Sequence, residues 1–320
     1  RDVRRLIAHA STVTVAERCS MIQRALIGLA RMGVDRVLIM RDHGGIAQGL
    51  ELAQKNRRKD QPLQWPKLEY LEMEVGGEAT DTLNAVTMMC EQECRVIIVL
   101  GGDGTHRLVA HACGEIPLAC ISTGTNNVFP KFIESTVAGM AAGALAVKKV
   151  QKELVCLRNK RLMLEINGKA QIPALVDICV TSEDWIGTRA VWRPKDLREL
   201  YLSFAEPGAI GLSSIGSLVL PRARELDEGL EIMMEPSSTN GIKVEAPIAP
   251  GLITEINVDS CRPLRLGEPK SIRIPKGTLA LDGEKEIEFN AEDQVKITLD
   301  PLGPWSINID KIMGMLAKNI

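Results

Sequence analysis

Aromatic residues are scarce: four phenylalanines, two tyrosines and four tryptophans amount to 3% of a 320-residue chain. That leaves few rings for stacking unpaired bases. An excess of one charge is missing as well, since 39 Lys+Arg against 41 Asp+Glu gives a net charge of −2. No overall field draws such a chain to nucleic acid or to an anionic membrane. No apolar run approaches the ~18–20 residues of a membrane span, and nothing at the N-terminus reads as a signal peptide. Only four histidines are present; His106 and His111 lie five apart, off one helix face, with no Glu to complete a zinc site. The eight cysteines include no CxxC pair, so neither a zinc knuckle nor a redox motif is written here. Several sit in apolar runs, where a thiol acts as a small hydrophobe. A cytoplasmic, reduced protein without stable membrane insertion is expected.

What is present is an ordinary globular composition, 45% hydrophobic and 25% charged, with length for about two domains. Residues 1–140 alternate helix and strand signals. Thr14 to Met32 has apolar residues at helical spacing and closes at Gly33, a C-cap residue, before the strand-like run 36–40. Glu78 to Glu93 predicts a helix, and 96–100 (Val-Ile-Ile-Val-Leu) and 117–121 (Pro-Leu-Ala-Cys-Ile) are short apolar runs around a helix from about His106 to Cys113. Buried apolar strands alternating with helices predict a parallel α/β sheet. From about residue 150 to 304 the chain turns β-rich. Asn167-Gly168 between strand-like runs is a strong hairpin signal, and runs at 271–274, 278–281, 285–289 and 294–299 alternate with turn residues. The Ala-rich segment 137–150 predicts a helix joining the halves. Asn56-Arg-Arg-Lys59 reads as a solvated helix end.

Chemistry concentrates where the strand at 96–100 runs into Gly101-Gly102-Asp103-Gly104-Thr105. A strand ending in a glycine-rich turn that opens a helix presents backbone N–H groups and a favourable dipole to an anion. The turn is neither a P-loop nor a GxGxxG. It can be a tight strand-to-helix turn with Asp103 as N-cap, or a phosphate-binding turn in which Asp103 handles a proton or a metal. A second polar loop, Ser122-Thr123-Gly124-Thr125-Asn126-Asn127, follows the next strand at the same predicted sheet edge, where open α/β sheets bind ligands. Asp282 and Glu284 read either as hairpin-turn residues or as a candidate metal or acidic site.

The Gly-Gly-Asp-Gly-Thr turn after an apolar strand resembles the signature shared by NAD kinases and diacylglycerol/sphingosine-type lipid kinases. The likeness covers most of the chain in matching order: 119–129, 174–180, 212–221, 246–250 with Arg262-Pro263, and 281–284. The wording Gly-Thr-Asn-Asn-Val-Phe-Pro at 124–130 is similar to NAD-kinase-like proteins associated with acetoin catabolism. The resemblance implies an N-terminal α/β nucleotide-binding domain (1–140, with 305–320 packing back onto it) and a β-rich acceptor domain (150–304). It implies ATP and Mg²⁺, NAD as acceptor, and Asp103 as general base. Gly101, Gly102, Gly104, Thr105 and residues 122–127 would hold nucleotide and phosphates; Asp177, Ser213 and Ser214 would hold the acceptor in the same cleft. Asp103→Asn is expected to preserve the fold, since Asn can still cap a helix.

The chain departs from the family in three places. Val176 stands where NAD kinases carry an Asn that touches the nicotinamide nucleotide. Residues 181–207, with Trp185 and Trp192, match no kinase motif, and the sequence begins just past where the family's opening strand and Asn-Pro-x-Ser-Gly loop would lie. The implied partners are small nucleotides, not nucleic acid, with a homo-oligomer expected. The alternatives are a lipid kinase, against which stands the lack of a basic amphipathic helix, and a non-catalytic nucleotide-binding accessory protein of acetoin catabolism.

Overall fold

A computed structural model describes residues 8–56, 65–186, 190–191, 193–236, 238 and 241–317. Arg57-Arg58-Lys59 and Trp192 lie outside the described residues. No helix among those described is long and apolar enough to cross a membrane.

The first half runs α1 (Val15–Met32), β1 (Arg36–Ile39), α2 (Ile46–Lys55), β2 (Lys67–Tyr70), α3 (Ala79–Glu91), β3 (Ile97–Gly101), α4 (Asp103–Ala112), β4 (Leu118–Ser122) and α5 (Ser135–Ala146). Helix α1 starts where Thr14 Oγ1 accepts from the Glu17 N–H and ends at Gly33 in the left-handed region (φ 97°), a conformation that favours glycine. Strands β3 and β4 pair in parallel from Ile97↔Leu118 to Gly101↔Ser122, so the glycine turn and the second polar loop emerge at one sheet edge. Strands β1 and β2 form a separate parallel pair. An apolar cavity of about 750 Å³ lies between β1 and β3, under α1.

The Ala-rich helix does not bridge the halves. Helix α5 belongs to the first half and lies tight against α1, where the Gly139 Cα faces the Ala25 carbonyl and Gly28 faces that of Thr136. After a short helix α6 (Lys152–Val155), strand β5 (Cys156–Arg158) also joins the first half. It pairs with β17 (Trp305–Ile307), which lies between β5 and β4. Helix α8 (Ile309–Ala317) then buries Ile309 and Ile312 among α5 and α6 side chains. Residues 305–317 therefore complete the first half.

The second half is a two-layer β structure. Strands β8 (Asp177–Thr181), β9 (Leu197–Leu202), β10 (Glu228–Met234), β11 (Ile242–Ala249), β12 (Leu252–Arg265), β14 (Gly277–Leu281) and β15 (Glu284–Phe289) form a seven-stranded antiparallel sheet in the order β11-β12-β10-β9-β8-β14-β15. A four-stranded sheet of β6 (Arg161–Ile166), β7 (Lys169–Ala170), β13 (Lys270–Ser271) and β16 (Val295–Asp300) packs on one face. Helix α7 (Ser213–Val219) packs on the other. Period-two alternation decides the layers: Ile178 and Val180 join the inter-sheet core, Cys179 the face under α7. Asn167 (φ 52°) and Gly168 (φ 77°) turn the predicted β6–β7 hairpin. Strand β13 is shorter than the run 271–274 suggests, because the Arg273 N–H is taken by the Glu199 carboxylate at 2.6 Å rather than by a strand. Pro247 sits in the edge strand β11, where a missing N–H is tolerated.

Candidate functional site

The turn after β3 opens α4 through Gly102 in an extended conformation (φ −95°, ψ −175°). Asp103 is the first helical residue, and its side chain does not cap α4. The carboxylate reaches across to the loop after β4: Oδ1 accepts from the Phe129 N–H at 2.8 Å, and both oxygens accept from the Val128 N–H at 3.0–3.1 Å. Asp103 thus ties the glycine turn to the second loop. The N-cap alternative is corrected, and with it the expectation that asparagine would substitute freely, since an NH₂ cannot accept an N–H.

The turn is tight for identifiable reasons. A Cβ at Gly101 would come within 2.6 Å of the Thr105 side chain, and one at Gly102 within 2.7 Å of Asn127 Oδ1. At Gly104 it would meet nothing within 4 Å, so the first turn of α4 is open on that side. His106, fully buried, holds the turn from beneath with Nδ1 2.8 Å from the Gly102 carbonyl. That partner is an acceptor, so Nδ1 carries the proton. Burial pushes the His106 pKa down to about 4, and the ring stays neutral. Sequence reasoning considered His106 only as a metal ligand.

In the second loop Ser122 and Asn127 serve the loop itself. Asn127 Nδ2 donates to Ser122 Oγ (2.8 Å) and to the Gly124 carbonyl (3.1 Å), and Ser122 Oγ donates to the same carbonyl (2.9 Å). The segment before α1 runs alongside, with the Val13 N–H on the Thr123 carbonyl and the Thr125 N–H on that of Ser11. Between the loops lies a polar cavity of about 450 Å³. Its walls are Ala10–Thr12, Arg18, Gly101–Thr105, Arg107, Thr123–Asn127, Asp282 and Glu284. Asn126 Oδ1 is buried there without a hydrogen-bond partner, an acceptor suited to a ligand O–H or N–H.

Asp282 is both turn residue and wall. Asp282 (φ 49°) and Gly283 (φ 78°) make the two-residue turn between β14 and β15. The carboxylate accepts the N–H groups of Leu175, Val176 and Asp177 and lies 3.7 Å from Arg107 Nε. Burial raises its pKa to about 6 against the opposing pull of Arg107 and those amides. No three His, Cys, Asp or Glu residues converge as a metal site among those described, and the Asp282 oxygens are already engaged. Asp282 and Glu284 both line the cavity.

The proposed acceptor residues do not gather in the cavity. Asp177 is buried one layer behind, its Oδ1 accepting the Gly283 N–H at 3.2 Å, so it supports the Asp282 turn. Ser213 and Ser214 are buried in α7; Ser214 Oγ donates to the Gly211 carbonyl at 2.6 Å, against the β-sheet core. Val176 is sealed with Phe129, Leu175 and Phe204 in an apolar cluster. The expectation that Asp177, Ser213 and Ser214 line one cleft with Asp103 is corrected. The loop 212–221 folds as a core helix because Leu212 and Ile215 turn its face into the sheet. Sequence reasoning also missed Arg107 and Arg18, for which only their places beside the glycine turn and in the first turn of α1 gave a signal.

Residues 5–149 match the ATP-NAD kinase N-terminal domain, and residues 160–302 match the acetoin catabolism protein X C-terminal domain. Yeast NADH kinase, solved in complex with NADH, is similar in fold at a TM-score of 0.51, with 13% identity over 94% of this chain and 84% of that one. Acetoin catabolism protein X of Cupriavidus necator is 40% identical over 318 residues, 98% of this chain and 88% of its own length. On that identity along nearly its whole length, the chain belongs to the acetoin catabolism protein X family, and its first half has the NAD kinase fold.

Proposed function

We propose that the chain binds ATP in the cavity between the glycine turn and the Asp282 turn and transfers the terminal phosphoryl group to a nucleotide hydroxyl, NAD being the acceptor to test first. The observation that carries this is the open first turn of α4: its leading amides have no intrahelical partner, Gly104 leaves them uncovered, and the orphaned Asn126 Oδ1 faces the same space. Helix N-termini of this kind suit phosphate. Asp103 lines the cavity, and in this reading it takes the proton of the acceptor hydroxyl as that oxygen bonds to the γ-phosphorus. The bond from the γ-phosphorus to the bridging oxygen breaks, and ADP leaves with the electron pair. Such chemistry rests on positioning and charge stabilisation. Mg²⁺ would supply charge neutralisation, arriving on the phosphates with most of its ligands from them and from water.

Calorimetry with Mg-ATP and with NAD, together with turnover of the wild type and Asp103→Asn, tests this. The Asn variant should bind ATP within a few-fold of wild type and lose ~10²–10⁴ in turnover. It should also lose about 1–3 kcal/mol of stability, because one acceptor for the 128–129 amides disappears. Equal turnover in both proteins would remove Asp103 as the base. Val176, sealed in its apolar cluster, favours a second reading, a nucleotide-binding accessory protein. Tight ATP binding without wild-type turnover would establish it.

A further inference from the structure

The Asp103 carboxylate is held by a peptide group that is itself gripped from the other half of the molecule. Arg224, in the segment between α7 and β10, is 8% exposed. Its Nη2 donates to the Val128 carbonyl at 3.3 Å and its Nη1 to that of Phe129 at 3.2 Å. Nε and Nη2 also reach the two Glu206 carboxylate oxygens at 3.3 and 3.2 Å. The guanidinium lies 4.1 Å from the Phe204 ring centre and 5.1 Å from that of Phe129. The Val128 carbonyl and the Phe129 N–H belong to one peptide unit, and that N–H donates to Asp103 Oδ1 at 2.8 Å. A cation on the carbonyl side polarises the peptide and strengthens its N–H as a donor, most of all in a dry setting.

We infer that Arg224 is a positioning residue for Asp103, acting through the Val128–Phe129 peptide. Arg224, Glu206 and Phe204 come from the β-rich half, and Asp103 and Phe129 from the α/β half. Docking of the two halves therefore adds a grip from the β-rich half to the peptide that holds Asp103. The catalytic consequence rests on Asp103 being the base; the hydrogen-bonded link does not.

The sequence supplies a clean probe, because four phenylalanines give four backbone amide signals in a ¹⁵N-Phe-labelled sample, and Phe129→Leu assigns the one of interest. In Arg224→Gln the Phe129 amide proton should move upfield and exchange at least tenfold faster, while Phe132 and Phe289 stay in place. Arg224→Lys, which keeps the charge without the fork, should recover part of that shift. Adding Asp103→Asn to Arg224→Gln should displace the Phe129 signal less than it does in the wild-type background. An unmoved Phe129 signal in folded Arg224→Gln overturns the inference. If that variant does not fold, Arg224→Lys decides, and an unmoved signal there overturns it equally. Where turnover is measured, Arg224→Gln should lower kcat tenfold or more with the KM for ATP unchanged. A moved signal with unchanged kcat overturns the positioning role. Absent wild-type turnover tells against the kinase reading alone, since the amide signals are read without it.

Discussion

His106, buried beneath the glycine turn, and Asp282, in the cavity wall, have opposite responses to acid. Folded His106 titrates at about 4, whereas an unfolded histidine titrates near 6.5. Between those values the unfolded chain binds the extra proton, so the stability from neutral His106 is present above pH 6.5 and lost as pH falls toward 4. Asp282 is raised from 3.8 to about 6; its contribution is fullest below pH 3.8 and is lost as pH rises through 6. Urea midpoints should separate them. From pH 7 to pH 5 the advantage of wild type over His106→Gln should shrink, and its advantage over Asp282→Asn should grow. Differences that do not change with pH would show that neither group titrates as its burial dictates. At this scale the sequence singled out Asp103 and Asp282, and both line the cavity. It could not show that amides from other loops already engage both, because those partners lie 25 and about 106 positions away.

Two glycines in helices make opposite predictions at the scale of elements. In α5 a Cβ at Gly139 would lie 2.2 Å from the Ala25 carbonyl oxygen, and a backbone atom cannot turn aside as a side chain can. Gly139→Ala should therefore destabilise by ~1–3 kcal/mol, as overpacking does, despite the ~1 kcal/mol gain in helix propensity. In α8 a Cβ at Gly314 meets nothing within 4 Å, so Gly314→Ala should stabilise by up to ~1 kcal/mol. Thermal unfolding of the two variants reads both signs, and a Gly139→Ala protein as stable as wild type would refute the close crossing of α1 and α5. The small residues of α5 were legible as helix formers. Their role as a contact surface was not, since nothing local in an Ala/Gly run says that another backbone passes within reach.

For the whole molecule, the placement of β17 between β4 and β5 makes the first half depend on the last residues of the chain. Truncation after Gly303 removes a strand from that sheet and takes Ile309 and Ile312 out of their core. Burial of a large aliphatic side chain contributes ~1.5–3 kcal/mol, and whole domains are stable by only ~5–15 kcal/mol. The truncated protein should lose protection from proteolysis across residues 8–155 while the β-rich half stays resistant. Equal resistance of both halves would show that the first half closes without β17.

Local pattern determined the strands at 97–101 and 118–122, the helices beside them, the Asn167-Gly168 and Asp282-Gly283 turns, and the glycine turn at the end of the first of those strands. These are written in neighbours a few residues apart: apolar runs, capping residues, and glycines where φ must be positive. Tertiary structure alone decided that Ser213 and Ser214 are buried in a helix packed on a sheet, outside the cavity lining, and that Val176 is sealed with Phe129 and Phe204. It alone brought Arg224 to the peptide that holds Asp103. Which face of a helix is buried, and which distant cation meets a carbonyl, depends on how sheets and helices stack. That is settled by contacts between residues some hundred positions apart, which no window of sequence contains.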